Sequence, residues 1–187
     1  MKVFLFAPGK SIHTQKWANH YVSRGIDVTV VTFKDHRSEK ELNNYETIVL
    51  PKMLPGKLSY LISTFLLKRL LNKHKPDILH AHFASSYGFI AALSSYRPLY
   101  ISVWGTDIYK FPQRSRLNKR ILTYTLQNSD SIFSTSYAMA KETRQYTSEK
   151  INVIPFGVDT DHFKKDVNSK NDNLITIGIV KSLSDNY

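Results

Sequence analysis

The sequence predicts an α/β fold built on a parallel sheet with helices on both faces. Two observations carry the prediction. Short apolar runs alternate with longer segments free of Pro and Gly, the order expected of strand and helix in turn. The apolar runs are also hydrophobic on both faces, as strands buried between two helical layers must be. Together they describe a doubly wound, Rossmann-like domain of three layers, α/β/α.

Val3-Phe4-Leu5-Phe6-Ala7 is the first strand, stopped by Pro8-Gly9. His13 to Ser23 reads as a helix closed by Arg24-Gly25, a C-terminal glycine signal. Val28 to Phe33 is a strand rich in β-branched residues. Asp35 to Asn44 is polar, a loop or short helix, and Thr47 to Leu50 is a short strand ending at Pro51. Leu58 to Asn72 is a helix with Leu58, Leu61, Ile62 and Phe65 on one face. Asp77 to Ala81 is a strand and Ser86 to Ser95 a helix of small residues. Leu99 to Val103 and Ser131 to Ser134 are strands flanking a helix at Arg116 to Gln127. Tyr137 to Tyr146 is a helix, and Ile151 to Ile154 the last strand.

The domain is expected to span residues 1–163. Residues 164–173 are polar and charged, as a linker is. Leu174 to Val180 then opens a new strand, so 174–187 reads as the truncated start of a second domain. One strand forms no domain, and the chain is expected to have been cut there.

The chain has 187 residues, 42% of them hydrophobic, enough for one sizeable core. Cysteine is absent, which removes disulfide frameworks and thiolate metal sites. The run after Lys2 is too short for a signal peptide, and no stretch approaches the length of a membrane span. The net charge of +11 is local. No acid occurs between Thr47 and Pro76, against Lys52, Lys57, Lys68, Arg69, Lys73 and Lys75. None occurs between Ile108 and Ser129, against Lys110, Arg114, Arg116, Lys119 and Arg120. Those two patches equal the whole excess, and such patches suit anionic lipid, polyanionic saccharide or nucleic acid. No helix-turn-helix, RRM, KH or zinc pattern accompanies them, so no nucleic-acid partner is expected.

Ligands of doubly wound sheets bind beyond the carboxyl ends of the strands. Pro8-Gly9-Lys10-Ser11 has a single glycine, which excludes a dinucleotide fingerprint and argues against a dehydrogenase. Gly9 still allows backbone N–H groups to approach a phosphate, and Ser11 and His13 open the helix behind it. His80-Ala81-His82 ends the fourth strand with both imidazoles on one face; a third ligand for a metal is missing, and His82 is the better contact for a sugar or phosphate. Trp104-Gly105-Thr106-Asp107 follows the fifth strand. Trp104 offers a ring face to a pyranose, and Asp107 either accepts from sugar hydroxyls or caps a turn. Ser136 contacts substrate or caps its helix, the plainer reading.

Ile154-Pro155-Phe156-Gly157-Val158-Asp159 is the sharpest motif, and here the chain resembles the group 1 (family 4) retaining glycosyltransferases of the GT-B fold. It is similar to the family's "IPNGVD" strand and hinge. Arg24-Gly25-Ile26-Asp27-Val28 and Trp104-Gly105-Thr106-Asp107 resemble "RGHEV" and "HGTD" in the family's order. Ile177 to Leu183 resembles the strand that opens the donor domain.

The resemblance implies the acceptor-side half of an enzyme that transfers a sugar from a nucleotide-sugar to a saccharide or lipid-linked acceptor, in cell-surface polysaccharide or glycolipid synthesis. It implies Asp107 and His82 as catalytic candidates. Gly9, Ser11, His13, Trp104, Gly105, Thr106, Ser136, Phe156 and Gly157 would contact substrate, and Lys181 the donor diphosphate. Trp104 departs from the family, where many members carry a histidine. No cofactor and no obligatory metal are implied, and the fragment alone is expected to be inactive. The protein would be cytoplasmic, with its basic patches suited to peripheral contact at the inner face of an anionic membrane. The alternative is a non-catalytic carbohydrate-binding or nucleic-acid-binding basic Rossmann domain.

Overall fold

The computed structural model of the chain describes residues 1–38, 44–51 and 59–164. Met1–Phe156 forms one compact unit, and residues from Gly157 onward belong to a second. The unit therefore closes seven residues before the expected boundary at 163. The expected linker beyond Lys164 and the orphan strand at 174–187 lie outside the described residues.

Seven strands form one sheet: β1 (Lys2–Phe6), β2 (Asp27–Phe33), β3 (Glu46–Leu50), β4 (Ile78–His82), β5 (Leu99–Val103), β6 (Ser131–Ser134) and β7 (Ile151–Val153). Their order is β3-β2-β1-β4-β5-β6-β7 and every pairing is parallel. The helices are α1 (Ile12–Ser23), α2 (Ser59–His74), α3 (Tyr87–Ser94), α4 (Thr106–Tyr109), α5 (Arg116–Gln127) and α6 (Tyr137–Thr143). Short 3-10 turns sit at Lys34–His36 and Pro112–Arg114. The predicted α/β class is present, as is every strand predicted within the described residues. The turn α4, inside the loop after β5, has no signal of periodicity behind it because four residues are too few to show one.

The sheet divides two apolar clusters. Val3, Leu5, Val28 and Val30 pack with Trp17 and Tyr21 of α1. Phe4, Phe6, Val31 and Phe33 pack with Leu67 and Leu71 of α2 and with Tyr87 and Ile90 of α3 on the other side. Alternate residues of β1 and β2 thus feed opposite layers, as strand geometry requires. Gly88 lets α3 lie close: a Cβ there would meet the Phe83 carbonyl at 3.0 Å and Ile101 Cδ1 at 3.1 Å.

The apolar face Leu61, Ile62 and Phe65 of α2 points outward, with exposures of 60%, 51% and 66%. The buried stripe is Ser59, Ser63, Thr64, Leu67 and Leu71. α2 packs along α3, and small residues in its first turns allow that approach. Leu58 lies outside the described residues.

Candidate functional site

The chain leaves β1 toward β2 and β3 on one side, and the later strands extend the sheet on the other. The loops after β1 and β4 part at this reversal, the place where such sheets bind ligands. A cleft of about 380 Å³ opens there, lined by Pro8, Lys10, Ser11, His36, Phe83 and Ser86 among others.

Gly9 is in this loop for packing. A Cβ on it would approach Thr32 Cγ2 at 3.3 Å and the His36 carbonyl at 3.4 Å. Its amide donates to Thr32 Oγ1 at 3.0 Å, Lys10 N–H to the His36 carbonyl at 2.8 Å, and Ser11 N–H to the Pro8 carbonyl at 3.0 Å. The Gly9 amide is thus turned inward and bonded within the fold. The available donors lie one step further on. Ser11 makes no side-chain cap to α1, so the first N–H groups of that helix have no side-chain partner.

Beside that helix start lies a ring of aromatic and imidazole groups. His13 stacks on Phe156 with centroids 3.8 Å apart and planes at 9°, and meets Trp104 edge-on at 5.4 Å. His82 packs against Trp104 at 4.7 Å and Trp17 at 6.1 Å. Among the described residues, five buried side-chain nitrogen or oxygen atoms lack a hydrogen-bond partner: His13 Nδ1, Thr14 Oγ1, both ring nitrogens of His82, and Trp104 Nε1. All belong to the start of α1 or to the carboxyl ends of β4 and β5. Such atoms are rare in folded proteins because each forfeits its hydration without recompense. All five lie on the side of the sheet where its topology places ligands.

Burial drives the His82 ring well below its ordinary value, and the neighbouring His80 and His13 add to the effect. His13 is lowered by burial and then by Lys16. His82 is neutral at pH 7 and offers one donor and one acceptor. His80, two residues earlier on the same face, bonds Tyr21 Oη at 2.9 Å and Ser102 Oγ at 2.8 Å. Among the described residues no group of three metal-ligating side chains comes together.

Three other expected residues have structural work. Asp107 is 1% exposed. Its Oδ2 accepts from Ala84 N–H at 2.9 Å, and its Oδ1 from Trp104 and Gly105 N–H at 3.1 and 2.9 Å. Burial raises its pKa, against the lowering effect of these bonds. The carboxylate clamps the loops after β4 and β5, which is the turn-capping one of the two roles expected of Asp107. Ser136 caps α6, accepting from Met139 N–H at 3.1 Å, so the capping role replaces the substrate contact. Gly105 has φ 120° and makes the turn into α4, where Thr106 is exposed. Gly157, with φ 68°, opens the second unit. Lys181 lies outside the described residues.

Trp17 and His36 belong to this region and sequence reasoning passes over them. Trp17 sits inside a helical pattern, where periodicity reads it as packing. His36 joins because its ring bonds Tyr87 Oη at 2.8 Å, a contact across 51 positions.

A parallel Rossmann-like sheet with its ligand mouth at the strand reversal is the architecture of one half of a GT-B enzyme. The family described as glycosyl transferase 4-like matches residues 2–136, and the chain belongs to that family. It is 22% identical over 191 residues to the putative teichuronic acid biosynthesis glycosyltransferase TuaC of Bacillus subtilis (strain 168), covering 87% of this chain and 49% of the relative. The chain thus spans about half the length of that curated relative. Solved structures of similar fold include UDP-GlcNAc 2-epimerase from Methanocaldococcus jannaschii, with a TM-score of 0.61 at 15% identity, covering 82% of this chain and 45% of that one. Another is UDP-GlcNAc 2-epimerase from Neisseria meningitidis bound to UDP-GlcNAc, with a TM-score of 0.55 at 18% identity, covering 82% and 46%.

Proposed function

We propose that the enzyme carrying this domain transfers a sugar from a nucleotide-sugar, with retention, to a saccharide or lipid-linked acceptor of cell-surface polymer synthesis. The observation that carries the reading is the group of five unpartnered buried atoms at one mouth. A neutral imidazole that donates and accepts, an indole donor and a threonine hydroxyl together suit the alternating hydroxyls of a sugar. The charge on the departing diphosphate is met by the uncapped start of α1 and by Lys10 at the strand-reversal cleft, with no obligatory metal. The domain supplies the acceptor side and one wall of the donor cleft, and alone it does not turn over. No described helix is long and apolar enough to cross a membrane. The domain reaches a lipid-linked acceptor from the cytoplasm, by peripheral contact.

Trp17 and Trp104, the two tryptophans of the chain, both adjoin His82. A nucleotide-sugar of the right base therefore quenches intrinsic fluorescence saturably in the intact enzyme, and an acceptor triggers release of nucleoside diphosphate. His82→Leu lowers kcat/KM for that release by about 10- to 100-fold, the loss expected of two hydrogen bonds. Undiminished turnover in His82→Leu would refute the role of this mouth. Saturable saccharide binding with no diphosphate released from any nucleotide-sugar would make the protein a carbohydrate-binding domain instead.

A further inference from the structure

The two basic patches are far apart in sequence, but the fold sets them on one layer. α2 packs on α3 and α3 on α5, on the same side of the sheet. Rings join all three helices: Tyr60 of α2 meets Phe89 of α3 at 5.2 Å, and Phe89 meets Tyr124 of α5 at 6.0 Å. Leu61, Ile62 and Phe65 share the exposed face of α2, and Lys68 and Arg69 continue that face one turn later. On α5 the exposed Leu117 lies among Arg116, Lys119 and Arg120, which are exposed too.

Helix stability does not account for this layer. Cations favour the C-terminal end of a helix, and Lys73 at the end of α2 fits that rule. Arg116, Lys119 and Arg120 occupy the opposite end, in the opening turns of α5, with no acid in its first turn. There the macrodipole repels them. Among the described residues the one ion pair is Arg97–Asp130, so none of Lys68, Arg69, Lys73, Arg116, Lys119 and Arg120 pairs with a described carboxylate. On α2, three large apolar side chains face outward while Ser59 and Ser63 face in.

We propose that the outer face of α2 and α5 docks on an anionic lipid bilayer. Leu61, Ile62 and Phe65 enter the headgroup boundary, and the flanking cations pair with lipid phosphates, the two signals that interfacial binding combines. Charge complementarity selects this occupant. A second copy of the chain would oppose cation to cation. A nucleic acid or soluble polyanion would use the cations and leave the exposed Leu, Ile and Phe without a role. The inference rests on the peripheral contact proposed above and assigns it a surface.

The test is co-sedimentation of the full chain with phosphatidylcholine vesicles, with and without phosphatidylglycerol, at low and high salt. Binding appears with the anionic lipid and weakens with salt. Arg116→Gln combined with Arg120→Gln lowers it by about 25-fold, roughly fivefold for each cation removed. Phe65→Ser lowers it by about tenfold. All three side chains are exposed, so the circular dichroism and melting temperature of the variants match the wild type. Equal retention on neutral and anionic vesicles overturns the proposal, as does unaltered binding by Phe65→Ser. A dimer that Phe65→Ser converts to monomer in light scattering gives the face to a second copy. Oligonucleotide binding that needs the arginines but not Phe65 gives it to a polyanion. Diphosphate release onto a soluble acceptor, measured on the intact enzyme that carries this domain, does not depend on this face. If release persists while vesicle binding fails, the docking surface alone is wrong; if vesicle binding holds and release is absent, the transfer reading alone is wrong.

Discussion

His80 and His82 sit two residues apart on one face of β4, and both are fully buried. His80 has a hydroxyl on each ring nitrogen, and His82 has nothing on either. The same residue type, strand and burial therefore give one imidazole bonded into the fold through both ring nitrogens and one whose two nitrogens have no hydrogen-bond partner. The difference lies in position along the strand. His80 lies beneath α1, where Tyr21 reaches it, whereas His82 lies at the strand's end beside Trp104 and His13. Asp107 belongs with His80: it is equally buried, and backbone donors occupy both of its oxygens.

This contrast gives substitutions of opposite character. The largest effect is expected at His80. His80→Leu strands the hydroxyls of Tyr21 and Ser102 and costs about 2–4 kcal/mol of stability in urea unfolding. His82→Leu strands nothing, relieves two unsatisfied nitrogens, and changes stability by about 1 kcal/mol or less, toward stabilisation. Equal losses in the two variants would erase the distinction.

Asp107→Asn comes next. Its amide cannot accept from the Ala84 N–H that Oδ2 now receives, and the loss is about 2 kcal/mol. Urea midpoints measure it. A variant of normal stability that has lost sugar transfer would move Asp107 from clamp to chemistry.

The gentlest effect is on pH. Burial takes His80 from 6.5 down to about 3 and His82 well below 6.5. Because the folded values lie below the unfolded one, the unfolded chain takes up these protons first and acid favours unfolding. The contribution is complete above pH 6.5 and erodes as pH falls toward 3. Urea midpoints at a series of pH values show it, and His82→Leu removes one histidine's share. An unchanged slope in that variant would mean that His82 is protonated in the folded state. Asp130, held below the usual carboxylate range by the Leu99 N–H and Arg97, gives up its contribution only at lower pH.

Much of this was legible in the chain. Apolar runs and glycine signals placed all seven described strands, and the rule of carboxyl ends found the loops that carry His13, His82, Trp104 and Phe156. The residue roles were less legible. Gly9 and Asp107 look like ligand contacts when their loops are read singly, because Thr32 and Ala84, which occupy them, come from other elements. Which face of α2 is buried was not legible for a related reason. Periodicity marks an apolar stripe but not what covers it, and α3 calls for small residues at that contact rather than large ones.

The amino-acid sequence by itself determined the α/β class, the family and the places along the chain where polar ligands would be met. These depend on local pattern and on residues close together in sequence. Only the tertiary structure decided which buried groups are satisfied, since hydrogen bonds across the sheet join residues such as Tyr21 and His80 that are 59 positions apart. It also brought two distant basic segments onto one layer, because successive crossovers on the same side of a parallel sheet stack their helices side by side.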